Sequence, residues 1–396
     1  MPSAISKRYA AHLVAGLSAV SCAGIVAVAW LSGCKSPSPP MNPAGDLPPM
    51  PIISAAEAAN YVGSQACATC HPAETRDHQT SMHAHTLASI EDHPAIRAFE
   101  SKQEVHDPAL KMVYTTGMEQ GRPVSRVKRT SDGATETLSP RYVVGSGNHG
   151  YTFLFERDDR YLESRLSYYP PAKRWEWTPG QQDLTPNRAP LGRPLDNGTV
   201  FSCFICHSTT LVHEGETPRP EQSIFNVGCE RCHGAGREHV RLARTEKQPG
   251  AIYRFRGAPA DRVVRLCGEC HRSPKTIPDD ELESTVDLPR FAGTAFGASE
   301  CYRQSAGKLS CITCHQPHPR ASEDRKGYER VCLSCHSGGQ AVVRVASPAK
   351  TGGTGKACPV NPRSGCISCH MPAQSLGDPE EVKFHNHWIR VYPQTK

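Results

Sequence analysis

The chain has 396 residues, 38% hydrophobic and 21% charged, and its 34 prolines and 32 glycines exclude long uninterrupted periodic elements. A formal net charge of +6 gives no support to a nucleic-acid partner. The 18 cysteines are the compositional outlier, and their spacing sets the rest of the reading.

Residues 1–33 read as a secretion signal. Lys7 and Arg8 precede an apolar run from about Leu13 to Leu31, dominated by small residues and ending in Leu31-Ser32-Gly33-Cys34. That tetrapeptide resembles a bacterial lipobox, with Cys34 as the lipidated first residue of the mature chain and Cys22 removed. An uncleaved membrane anchor is the rival. Either reading places the remainder outside the cytoplasmic membrane, lipid-anchored on the periplasmic or outer-membrane side of a bacterial envelope in the first case. Residues 34–57, rich in proline, serine and small side chains, read as an extended tether.

The segment 58–110 carries the first of seven Cys-x-x-Cys-His motifs, Cys67, Cys70 and His71. His78, His83, His85 and His93 crowd behind it. Residues 111–198 hold no such motif and form a β-rich insert. Short alternating runs such as Tyr151-Thr152-Phe153-Leu154-Phe155 are joined by polar turns such as Arg157-Asp158-Asp159-Arg160, which predicts a small antiparallel unit. His149 sits in the glycine-rich stretch Gly145 to Gly150, where backbone can approach a flat ligand closely.

Residues 199–396 hold the other six motifs: Cys203, Cys206, His207; Cys229, Cys232, His233; Cys267, Cys270, His271; Cys311, Cys314, His315; Cys332, Cys335, His336; and Cys366, Cys369, His370. Numbered 1 to 7 in chain order, each motif reads as an attachment site for haem c. Two thiols three apart reach the two vinyl groups of one porphyrin, and the following histidine comes up under the iron as proximal ligand. Zinc would demand ligands in sets of four and gives no reason for a histidine after every second cysteine. The implied cofactors are seven covalently bound haem c groups. Roughly thirty residues per haem cannot bury a conventional core, so the porphyrins are expected to be the core.

Outside the motifs and the signal, eleven histidines remain: His78, His83, His85, His93, His106, His149, His213, His239, His318, His385 and His387. His239 and His318 follow His233 and His315 too closely to reach the far face of the same haem, so each is expected to serve a different one. Cys301 and Cys358 are left for a disulfide, with a free thiol or iron ligation as rivals.

Gly63-Ser64 before motif 1, Ser81-Met82-His83 behind it, Gly145-Ser146-Gly147-Asn148-His149, and Gly228 before motif 3 with His239 after it resemble the cytochrome c-552/c-554 type group of multihaem c-type cytochromes. Cys301-Tyr302 ahead of motif 5 with its trailing His318, and Met371-Pro372 with His387 at the end, belong to the same resemblance. It implies distal ligands at His83, His149, His239, His318 and His387, with His213 added from its position soon after His207. It also implies a mainly α and irregular, haem-cored fold with few regular elements beyond the small β insert. The expected function is electron transfer between extracytoplasmic redox proteins or a quinol-linked membrane complex. Two rivals are a multihaem oxidoreductase acting on a small nitrogen or sulfur compound, with Arg141, Tyr142 and the Tyr168-Tyr169 pair lining its pocket, and a haem-bearing subunit of a larger respiratory complex.

Overall fold

The computed structural model describes residues 47–181, 190–246, 250–274, 276–336, 356–377 and 379–392. The signal segment, Cys34 and most of the tether lie outside the described residues.

Two antiparallel sheets dominate the first half, and they overturn the expectation of a mainly α and irregular chain. Six strands form one sheet in the order Arg174–Trp177, Arg160–Tyr169, Tyr151–Arg157, Pro140–Val144, Leu87–Ser89, with Gly192–Pro194 also paired to Arg160–Tyr169. The other is a meander of Gln103–Asp107, Met112–Glu119, Arg122–Arg129 and Thr135–Leu138. Alternation gives Met112–Glu119 one buried face, where Met112, Tyr114 and Thr116 are buried and Val113 and Thr115 are not, whereas Phe153, Leu154 and Phe155 are all buried because their sheet is covered on both faces. The sheets therefore enclose an apolar protein core, to which Ile90, Ala95, Ala98 and Phe99 from ahead of the insert also contribute.

Phe99, Phe153 and Trp175 are the centre of that core. Phe99 lies 5.0 Å from Phe153 and 4.8 Å from Trp175 between ring centres, edge to face, which is the favoured aromatic arrangement. Arg165 is buried beside Asp107 at 3.4 Å and lies over the ring of Trp177. The turn Arg157 to Arg160 is a two-residue hairpin with Asp158 and Asp159 at φ 51° and 57°, the left-handed conformation such loops need to match strand twist.

Strands also occur outside the insert. Ile52–Ser54, inside the stretch expected as tether, pairs in parallel with Leu211–Glu214, which in turn pairs with Thr217–Pro218. Ala373–Ser375 pairs with Lys383–His385 near the end of the chain. The remaining described residues are short helices and loops carrying the attachment motifs. A second apolar cluster of Leu87, Tyr142, Leu154, Val200, Phe204 and Leu211 fastens the six-stranded sheet to the motif 2 helix Asn197–His207.

Candidate haem sites

Each motif lies on a helix or helical turn. The i, i+3 spacing sets both thiols on one face, and the histidine at i+4 follows on the same side. In motif 1 the His71 amide donates to the Cys67 carbonyl at 2.8 Å, and in motif 5 His315 does the same to Cys311 at 2.9 Å. The helices are Ser64–Ala68 ahead of His71, Asn197–His207, Cys229–His233, Ala260–His271, Cys311–Cys314, Arg325–His336 and Cys366–His370.

Four motif histidines face a second histidine from elsewhere in the chain. The ring centres of His71 and His239 are 6.4 Å apart with planes at 26°, those of His233 and His318 6.2 Å at 23°. His271 faces His83 at 6.1 Å and 69°, and His315 faces His387 at 6.1 Å and 37°. A histidine nitrogen sits about 2 Å from a bound transition metal and its ring centre about 1 Å further back, so two imidazoles on opposite sides of one metal have centres about 6 Å apart. The donor set fits a six-coordinate haem iron at these four positions. Among the described residues, no cluster of three or more His, Cys, Asp or Glu converges as a zinc site would require.

Tautomers are set by backbone carbonyls. Nδ1 of His207, His233, His336 and His370 lies 3.2, 2.8, 2.9 and 3.0 Å from the carbonyls of Thr86, Tyr253, Lys356 and Arg390, so the proton belongs on Nδ1 and Nε2 keeps its lone pair. His239 and His387 have the same lock, on Gly250 and His385. By contrast His78 and His85 turn Nε2 to the carbonyls of Val227 and Gln79 at 2.9 Å, which removes them as Nε2 ligands. Burial, then the neighbouring His271 and His78, push His83 down to about 4, and burial followed by His315 does the same to His387. Burial also lowers His207, His271 and His315. These rings are thus neutral at physiological pH, the form that binds a metal.

Two expected distal residues face no motif histidine among the described residues. His149 stacks on Phe384 at 4.0 Å, with Asn148 on its Nε2 at 3.3 Å, and His213 meets Phe201 edge-on with Nδ1 on Gly215. The glycines beside His149 serve packing: at Gly145, φ +111°, a Cβ would stand 2.5 Å from the Gly150 carbonyl oxygen. Cys301 and Cys358 are not joined to each other in the structure. Burial raises the Cys301 thiol, whereas Cys358 accepts from the Asn361 amide.

Charged residues in the x-x positions of motifs 3 and 4 escaped the sequence reading. Glu230, 3% exposed, accepts from the amides of Val62 at 2.9 Å and of Gly63 and Gly236 at 2.7 Å each, clamping the approach to motif 1 onto motif 3. Arg231, also 3% exposed, donates to Glu269 of motif 4 at 2.8 Å. The only available signal was that both members of a presumed spacer pair were charged. A cavity of about 530 Å³ is lined by Glu91, Arg141, Tyr142, Glu156, Glu221 and Phe225, with Arg141 paired to Glu156 at 2.8 Å. Tyr168 and Tyr169 lie elsewhere, against Trp175 and on the Trp177 carbonyl.

The family model described as cytochrome c554 and c-prime matches residues 66–127 and 178–234, which take in motifs 1, 2 and 3. No curated protein sequence matches the chain. A crystal structure of outer cell wall cytochrome OcwA is similar with a TM-score of 0.48 and 15% identity, over 84% of this chain and 80% of that one. The family match bears out the resemblance to multihaem c-type cytochromes. Among the described residues no helix is long and apolar enough to cross a membrane.

Proposed function

We propose that this chain binds seven haem c groups covalently and transfers electrons among extracytoplasmic or membrane redox partners. The observation that carries the reading is the set of four facing imidazole pairs, 6.1 to 6.4 Å between ring centres, each uniting different segments of the chain. Bound haem c supplies a one-electron iron couple whose potential depends on axial ligands, burial and hydrogen bonding. The chain's own residues do the rest. Paired histidines would hold the iron from both sides at four sites, carbonyl locks hold the tautomers of His233, His239 and His387 among them, and the Arg231–Glu269 pair ties motif 3 to motif 4.

Export and a lipid anchor on Cys34 belong to this proposal, supported by the apolar stretch before Cys34 and by the attachment chemistry. The oxidoreductase reading keeps one specific support: His207, His336 and His370 face no second histidine among the described residues.

The test is a count. Pyridine haemochrome and intact mass of the purified holoprotein are expected to give seven haems per chain. Electron paramagnetic resonance with near-infrared magnetic dichroism is expected to show at least four low-spin bis-histidine centres. Fewer than four such centres overturns the proposal, and a stoichiometric high-spin centre that binds a substrate during turnover favours the oxidoreductase.

A further inference from the structure

The neighbour relations among the seven sites do not follow the chain order. Helix Ser64–Ala68 of site 1 packs on Cys229–His233 of site 3, where the Cys229 amide donates to Ser64 Oγ at 3.3 Å. Site 3 reaches site 4 through Arg231, which donates to Glu269 at 2.8 Å and lies 3.8 Å from the Cys270 sulfur.

Site 4 is the crowded one. Its helix Ala260–His271 packs on the site 2 helix Asn197–His207, with Cys206 Sγ 4.0 Å from the Glu269 carbonyl oxygen. The same helix packs on Cys311–Cys314 of site 5. Site 5 then packs on Arg325–His336 of site 6, and site 6 on Cys366–His370 of site 7.

We infer that the sites form a trunk in the order 1, 3, 4, 5, 6, 7, from which site 2 branches as a spur at site 4. The inference rests on the reading of these motifs as haem attachment sites. A thioether sulfur would be separated from the conjugated ring by one carbon, so attachment helices packed on one another would bring the edges of two macrocycles near each other. Each transfer moves one electron from a site to its neighbour, oxidising the first and reducing the second, with no bond made or broken. An external one-electron donor and acceptor supply and remove it. Site 4 is then the junction through which charge at sites 1, 2 and 7 equilibrates, and site 2 is an end point, not a link. Its helix is also fastened to the six-stranded sheet, so the β half of the molecule meets the electron path at this spur, as it does near site 7 through His149 on Phe384.

The test is the iron positions in the unaltered holoprotein, located by anomalous scattering at the iron edge. The expected result is that the iron bound by His207 has the iron bound by His271 as its nearest neighbour. The latter is expected to stand next to three irons, those of His233, His207 and His315. An iron at His207 lying between two others in series, or nearest to that of His71, overturns the inference. Fewer than seven irons instead overturns the underlying haem count while leaving the neighbour order of those present to be read.

Discussion

His239 stands across from His71 with ring centres 6.4 Å apart and planes 26° from parallel, although it belongs to the helix that follows motif 3. Replacing His239 with alanine is therefore expected to leave the haem count per chain unchanged while converting one low-spin centre into a high-spin one. Electron paramagnetic resonance on the oxidised variant checks this. An unaltered spectrum would mean that His71 has another partner.

The four pairs differ in ring orientation, and that difference is readable in the native protein. His83 and His271 cross at 69°, whereas the other three pairs lie at 23° to 37°. Crossed imidazoles leave two iron d orbitals nearly degenerate, so one centre should give a broad low-field ferric signal and three should give ordinary rhombic ones. The broad signal is expected to vanish in His83→Ala. Its persistence would place it at another site.

The Arg231–Glu269 pair is nearly dry, with side-chain exposures of 3% and 16%. Glu269→Gln leaves a buried guanidinium without its counter-charge and is expected to destabilise the holoprotein by about 3–5 kcal/mol. Denaturant unfolding followed by the haem absorbance measures it. Arg231→Met combined with Glu269→Met should recover much of the loss, and failure to do so would point to packing rather than charge.

His93 caps the short helix Pro94–Phe99 by accepting from the Ala95 amide through Nδ1 at 3.1 Å, and burial lowers its pKa. The unfolded chain, at about 6.5, then binds more protons than the folded one over the window just below that pH. Its contribution to stability is full above about pH 6.5 and declines as the pH falls through that value. His93→Asn keeps a capping acceptor and removes the titration. The melting temperature of the variant should fall less steeply between pH 7 and 5 than that of the wild type, and parallel profiles would contradict the assignment.

Phe99 is fully buried between Phe153 and Trp175. Phe99→Ala is expected to cost about 3–5 kcal/mol and to leave the haem count and the low-spin spectrum intact, because the β core is built from protein alone. Loss of haem in this variant would show that the sheets and the attachment sites fold as one unit.

Local chemistry was legible in the chain and long-range pairing was not. The motifs, the hairpin at Asp158 and Asp159, and the exclusion of His239 and His318 from their own neighbours' haems all follow from spacing within a few residues. The extent of β structure does not, because Leu87–Ser89 joins its sheet from across the motif 1 segment and Ile52–Ser54 finds its parallel partner at Leu211–Glu214. A three-residue strand carries too little alternation to be recognised alone, and its proline-rich surroundings read as tether. Likewise Glu230 and Arg231 occupy positions where spacing sets no residue type, so their role emerges only when Val62 and Glu269 are brought to them.

The cross-lacing of histidines has a consequence for a chain that emerges from its N-terminus. Site 1 awaits His239, site 3 awaits His318 and site 5 awaits His387, so these three centres each depend on residues delivered after the motif itself. A product cut short between His315 and His387 leaves His315, at the fourth of the six trunk sites, without its facing histidine. If the sites hold haem as proposed, a chain lacking only this end would announce itself through a weak-field iron at site 5, a check on complete synthesis built into coordination chemistry.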